Sequence, residues 1–174
     1  MAVPAHLTIQ TDGLPFDSLL CDWRWLVSPV FTPVLMTAFG DLFLRDQSGH
    51  IHFLDLMSGQ LKQVAASQEE FDRLCEDREQ QRSWFIGFLL MEVRKLRGEL
   101  ASGECYSCTT PLSLGGQLEE DNFDRKDLQV HYSILGQLHR QTRHLPPSTK
   151  IDSIKIESPH EATKQRSWWQ RLVG

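Results

Sequence analysis

The chain has 174 residues with 40% hydrophobic and 24% charged residues and a formal net charge of −5, which predicts one domain with a packed core. Its longest apolar run, residues 84–91, falls far short of the ~20 residues a membrane span needs, and the negative balance argues against direct nucleic-acid binding, which needs clustered Lys and Arg. No secretory leader pattern opens the sequence, so a cytoplasmic location is expected, with Cys21, Cys75, Cys105 and Cys108 kept as thiols.

The first 15 residues are polar and broken by proline. In residues 16–27, Leu19, Leu20, Trp23, Leu26 and Val27 recur at helical steps, and Pro29 and Pro33 end that helix. The period then changes to two, with strand-like runs at 34–39, 41–46, 51–56 and 61–65. Residues 46–49 and 57–60 have hairpin length and carry Gly49 and Gly59. Gly40 reads as a bulge that would make the first two runs one bent strand. An antiparallel meander follows, and one of its faces must be covered, because a few isolated strands are marginal in water.

Ser67-Gln68-Glu69-Glu70 has capping-box spacing and predicts a helix with Phe71 and Leu74 inward. A second helix is expected from about 83 to 100. Trp84, Phe85, Phe88, Leu89, Val93 and Leu96 cover more than one stripe of it, which predicts the most buried helix. Residues 101–126, punctuated by Gly103, Pro111, Gly115 and Gly116, read as a loop region with short extended pieces. Asp127 can cap a helix carrying Val130, Ile134, Leu135 and Leu138, closed by Pro146 and Pro147. Ile151, Ile154 and Ile156 suggest a last strand. The fold class is thus α+β, a helix-covered antiparallel meander in a single domain over 1–157, with a tail at 158–174.

Several blocks together resemble one family. They are Asp22-Trp23-Arg24-Trp25-Leu26, residues 38–46, Phe53-Leu54-Asp55-Leu56-Met57-Ser58-Gly59, Leu114-Gly115-Gly116, residues 130–139, and Leu145-Pro146-Pro147-Ser148-Thr149-Lys150-Ile151. In this order they resemble the C-terminal domain of bacterial Tdi-type immunity proteins, long catalogued as a domain of unknown function, over about 16–151. The hairpins followed by the Ser67 cap also look loosely like the SMI/KNR-type immunity superfamily. The resemblance implies a protein that binds and neutralises a cognate toxin, with DNase effectors of type VI secretion systems as the family's targets. Such proteins can carry a separate N-terminal region related to a GAD-like domain, whereas only a short segment precedes residue 16 here. Ser148 stands where the family more often has Gly.

An inhibitor of a DNA-cleaving enzyme can steer onto its basic cleft with carboxylates. Two acidic clusters offer them: Glu69, Glu70, Asp72, Glu76 and Asp77, and then Glu119, Glu120 and Asp121. These are the candidate toxin-binding residues, against the plain alternative of solvated faces. The partner implied is a basic toxin protein. The second reading is a small hydrolase or nucleotide-binding enzyme with a site in 105–139, although no catalytic motif is present.

Other features point to simpler roles. Cys105 and Cys108 have C-x-x-C spacing but no second pair to complete a zinc site. His50 with His52, and His131 with His139, share faces without a visible third ligand, so neither a metal nor a cofactor is expected. Trp168 and Trp169 beside Lys164, Arg166 and Arg171 look like a miniature membrane-surface anchor, too short to hold alone.

Overall fold

The computed structural model describes residues 3–146, 149, 151 and 153–157. Five strands, β1 (Thr8–Ile9), β2 (Thr32–Thr37), β3 (Leu42–Arg45), β4 (Ile51–Asp55) and β5 (Gln60–Ala65), form one antiparallel sheet in sequential order. Around it lie α1 (Phe16–Leu19), α2 (Gln68–Glu76), α3 (Arg78–Phe85), α4 (Gly87–Arg97) and α5 (Leu128–Thr142). A second, two-stranded sheet pairs β6 (Glu104–Cys108) with β7 (Phe123–Asp127). The α+β meander expected from the sequence is the observed architecture.

Both faces of the large sheet are covered. Along β3 the side chains alternate, Phe43 toward one core and Leu42 with Leu44 toward another, and all three are fully buried. Phe71, Trp84, Phe85, Leu89, Leu90 and Val93 from α2, α3 and α4 fill the first core. Leu19, Leu20, Trp23, Leu128, Tyr132, Leu135 and Leu138 fill the second. Two covered faces explain why the 42–44 run is continuously apolar, where a half-exposed strand would alternate with polar residues.

Several expectations are corrected. The runs at 34–39 and 41–46 are two strands, since β2 and β3 pair antiparallel. Gly40 lies in the reversal between them at φ +89°, against the His131 ring, where a side chain would be strained. The irregularity that does occur in this pair lies between Pro33 and Leu35. The N-terminal helix is shorter than expected: α1 passes at Leu20 into a 3-10 turn, Leu20–Trp23.

The single helix expected over 83–100 is two. Ile86 adopts φ 44° and ψ 48°, a left-handed conformation costly for a β-branched residue, and it separates α3 from α4. The break rephases the apolar stripe, so Leu89, Leu90 and Val93 point inward while Phe88 is 81% and Leu96 52% exposed. Ile151, Ile154 and Ile156 do not form a strand. The side-chain amides of Gln137 and Gln141 bind the backbone of Glu157 and Lys155 instead, holding that segment along α5. Ser148 and the 158–174 tail with its tryptophans lie outside the described residues.

Local chemistry explains the ends of the long elements. The backbone N–H of Glu70 donates to Ser67 Oγ at 3.2 Å, and the Glu70 carboxylate returns to the Ala66 N–H at 2.7 Å, a displaced form of the expected capping box. Asp127 caps α5 by accepting from the Val130 N–H at 3.0 Å, as its position predicts. Val130 itself is 39% exposed, and His131, Tyr132 and His139 take inward places the sequence reading did not give them.

Candidate functional site

The first acidic cluster forms an outward stripe on α2. Glu69, Asp72 and Glu76 recur at i, i+3 and i+7 and are exposed, opposite buried Phe71 and Cys75. Two other members of this cluster are committed to local structure. Glu70 closes the α2 cap, and Asp77 Oδ1 accepts from the Glu79 and Gln80 N–H groups at 2.9 Å to start α3. Asp72 also accepts from Gln68 at 2.8 Å.

The second cluster, Glu119, Glu120 and Asp121, is exposed at the 3-10 turn Glu120–Asn122. That turn packs against α4, where Arg97 donates from Nε to the Phe123 carbonyl at 2.7 Å and from Nη2 to the Asp121 carbonyl at 3.1 Å. Exposure therefore suits most of the predicted carboxylates for a partner, while Glu70 and Asp77 hold helix ends.

The 105–139 region contains one serine–histidine pair, with Ser107 Oγ 2.8 Å from His131 Nδ1. Both residues are buried, and burial pushes the His131 pKa down to about 4. Burial also raises the thiols of Cys105 and Cys108, the latter to about 11, the reverse of an activated cysteine. The C-x-x-C pair lies on strand β6, where the sequence suggested a loop. Odd spacing on a strand sends Cys105 into one core and Cys108 against the other, so they cannot share a ligand.

The other three histidines singled out in the sequence also have partners inside the fold. His139 Nε2 lies 2.9 Å from the Leu56 carbonyl, and Gly59 (φ +67°) leaves room for its ring. His50 Nδ1 and His52 Nε2 both approach Asp46 Oδ2, at 3.2 and 2.9 Å. The His52 hydrogen bond holds the Asp46 carboxyl down at about pKa 2. Among the described residues, no group of three or more His, Cys, Asp or Glu is placed to hold a metal, and no cysteine is in a disulfide. Chelator plus reductant is therefore expected to leave the melting temperature within about a degree, whereas loss of a structural staple would cost several kcal/mol. A scan with and without EDTA and reductant checks this.

No residue pattern marks the buried carboxylate at the centre of the fold. Asp41 is 4% exposed, accepts from the Leu56 N–H at 2.9 Å and meets Thr37 Oγ1 at 3.2 Å. Burial first, and then the charge of Asp55, raise its pKa to about 7. Tyr132 Oη, next to it in the core, donates to the Gly40 carbonyl at 2.6 Å. An Asp in a strand-like run looks like a surface residue, and only the covered second face makes it interior.

Two open clefts flank the fold. One, of about 490 Å³, includes Trp25, Gly59, His139 and Arg143, with the Arg143 guanidinium 5.2 Å from the Trp25 ring centre. The other, of about 470 Å³, lies between the Ala5–Gln10 segment and the end of α4. No helix of the described residues is long and apolar enough to cross a membrane.

Comparison with known proteins agrees with the resemblance read from the sequence. The family model described as "T6SS immunity protein Tdi1, C-terminal" matches residues 65–139, from the end of β5 through most of α5. Among solved structures, "Crystal structure of Atu4351 from Agrobacterium tumefaciens" matches with a TM-score of 0.49 and 15% identity over 70% of this chain. The chain spans 62% of the length of that structure. The curated proteins contain no match.

Proposed function

We propose that this chain, with the type VI secretion immunity family matched over residues 65–139, binds a cognate toxin and blocks its active site or its access to substrate. The family match is the observation that carries the reading. Exposed carboxylates on two elements support it, as does a 105–139 region whose serine–histidine pair is sealed in the core. The sequence resemblance extends the proposal to a DNase effector as the toxin and to the cytoplasm as the place of neutralisation.

In this account Glu69, Asp72, Glu76, Glu119, Glu120 and Asp121 steer a basic toxin surface toward the protein, since exposed opposite charges act mainly on association rate. Glu70 and Asp77 contribute by holding the helices that present them. The test is a nuclease assay with the purified effector encoded beside this chain. Cleavage is expected to fall to background near equimolar protein. Full cleavage at a large molar excess would overturn the proposal.

A further inference from the structure

Strand β1 is one edge of the five-stranded sheet, and its open side runs along a cleft. Leu7 accepts from the Ala38 N–H at 3.0 Å, while Thr37 donates its own N–H to the Asp41 carbonyl at 2.9 Å. With Thr8 opposite Thr37 and Ile9 opposite Met36, this makes Ile9–Met36 the hydrogen-bonded pair. The main-chain groups of Thr8 and Gln10 then turn away from β2. The Thr8 N–H donates to the Ala5 carbonyl. The Thr8 carbonyl and both main-chain groups of Gln10 have no hydrogen-bond partner among the described residues.

Thr8 and Gln10 line the cleft of about 470 Å³ whose far wall is residues 99–103. Both walls are fixed. Arg94 donates from Nη2 to the His6 carbonyl at 2.7 Å and meets the Glu99 carboxylate at 3.1 Å, so α4 ties the two sides together. Arg125 Nη1 donates to the Glu99 carbonyl at 3.1 Å. Ala101 is closed onto Glu104, donating its N–H to the carboxylate at 2.9 Å and accepting from the Glu104 N–H at 3.1 Å. The slot is therefore preformed, which lowers the ordering cost of binding.

The free groups select the occupant. An acceptor at Thr8, then a donor and an acceptor at Gln10, repeat every second residue, about 7 Å apart, and another extended backbone completes that pattern. A second copy of this chain would have to bring its own β1, which lies behind its own 99–103 wall, so the two edges do not meet. A single extended segment enters instead. We propose that the slot between β1 and residues 99–103 takes an extended segment of the toxin, which pairs with β1 as an added strand. The inference rests on the toxin-binding reading above and names a main-chain contact that performs it. The exposed carboxylates then set the rate of encounter, and the slot holds the complex.

The experiment measures binding of the full chain to the purified effector encoded beside it by calorimetry. Ser102→Trp sends a large ring into the slot from an exposed position. It is expected to weaken affinity by about 10-fold or more with the melting temperature unchanged. Gln10→Pro deletes the free N–H and is expected to weaken affinity about 5- to 10-fold, whereas Gln10→Ala keeps it and is expected to bind as the wild type does. Equal losses in the two Gln10 variants would mean that a side chain is read, and would overturn strand pairing. Should Gln10→Pro melt earlier, hydrogen exchange of the wild-type Gln10 amide decides: slowing by about 10-fold or more on adding effector supports pairing, and unchanged exchange overturns it. Unchanged affinity for Ser102→Trp, alongside tight wild-type binding, would overturn the slot and spare the immunity function. A wild-type dimer dissolved by Ser102→Trp would mean that a second copy fills the slot, and would overturn the proposal too. Failure of the wild-type chain to bind would remove the functional reading and this contact with it.

Discussion

Replacing Trp23 with Ala is expected to cost about 3–5 kcal/mol of stability, the range for deleting a fully buried aromatic side chain. Trp23 is completely buried and lies 5.7 Å from the His139 ring and 6.1 Å from that of Trp25, centre to centre. Its Nε1 donates to the Tyr132 carbonyl at 2.9 Å, tying the N-terminal turn to α5 across 109 residues of sequence. The substitution opens a cavity in the second core and removes that donor together. Trp23→Phe keeps most of the apolar volume and is expected to cost less, with about 0.5–1.5 kcal/mol from the hydrogen bond. A typical domain has only about 5–15 kcal/mol in total, so Trp23→Ala should leave a protein that melts far earlier or is partly unfolded. Urea unfolding of the three proteins checks this, and a loss below about 1 kcal/mol in Trp23→Ala would show that the second core does not depend on this anchor.

The second large effect is one of pH. Asp41 has a pKa of about 7 in the folded protein against an ordinary 3.8, so between these values the folded state keeps a proton that the unfolded chain has released. Stability contributed by this group therefore falls as pH rises from about 4 to 7, by about 4 kcal/mol in all. His131 acts with the opposite sign. Its pKa is lowered from 6.5 to about 4, so the unfolded chain binds the extra proton and stability rises with pH over that window. The two slopes oppose each other in the wild type, and a variant must separate them.

Asp41→Asn does so. The amide can accept from the Leu56 N–H, the Thr37 hydroxyl that donates to the carboxyl oxygen can rotate to accept from the amide instead, and the amide cannot ionise. Relative to wild type, this variant is expected to gain on the order of 4 kcal/mol between pH 4 and pH 8, a difference in which the His131 contribution cancels. Chemical unfolding of both proteins at the two pH values measures it. A wild-type-to-variant difference that does not change with pH would mean that Asp41 is not a buried titrating group.

Much of the fold was legible because local signals and tertiary packing agree. The turns at 46–49 and 57–60 carry glycines that adopt positive φ, the Ser67 and Asp127 caps stand where the sequence put them, and β3 and β4 fall within the period-two runs while β2 and β5 overlap them. Three features were hidden for physical reasons. Ile86 carries no signal for a left-handed break, because isoleucine rarely adopts that conformation and both flanks look helical. Strand β6 is fully buried at Cys105 and Tyr106, yet its Cys-Tyr-Ser-Cys stretch lies amid glycines and Pro111 that read as loop. Asp41 became interior only because helices cover both sheet faces.

The candidate surface was legible in part. Charge runs located the exposed carboxylates, because acidic clusters usually lie in solvent. They could not separate Glu70 and Asp77, which close helix ends, from Glu69, whose carboxylate stands outward. Phe88 was expected in the core for a related reason: inside an apolar run it reads as buried, and its exposure follows from the turn at Ile86.

The central claim, neutralisation of a cognate type VI toxin, is tested most directly in living cells. The measurement is the count of viable cells that produce, in their cytoplasm, the effector encoded beside this chain, with and without this protein. The account predicts that the protein restores viability to the level seen without effector and that genomic DNA stays intact. Undiminished killing, with this protein soluble and at least as abundant as the effector, would contradict it.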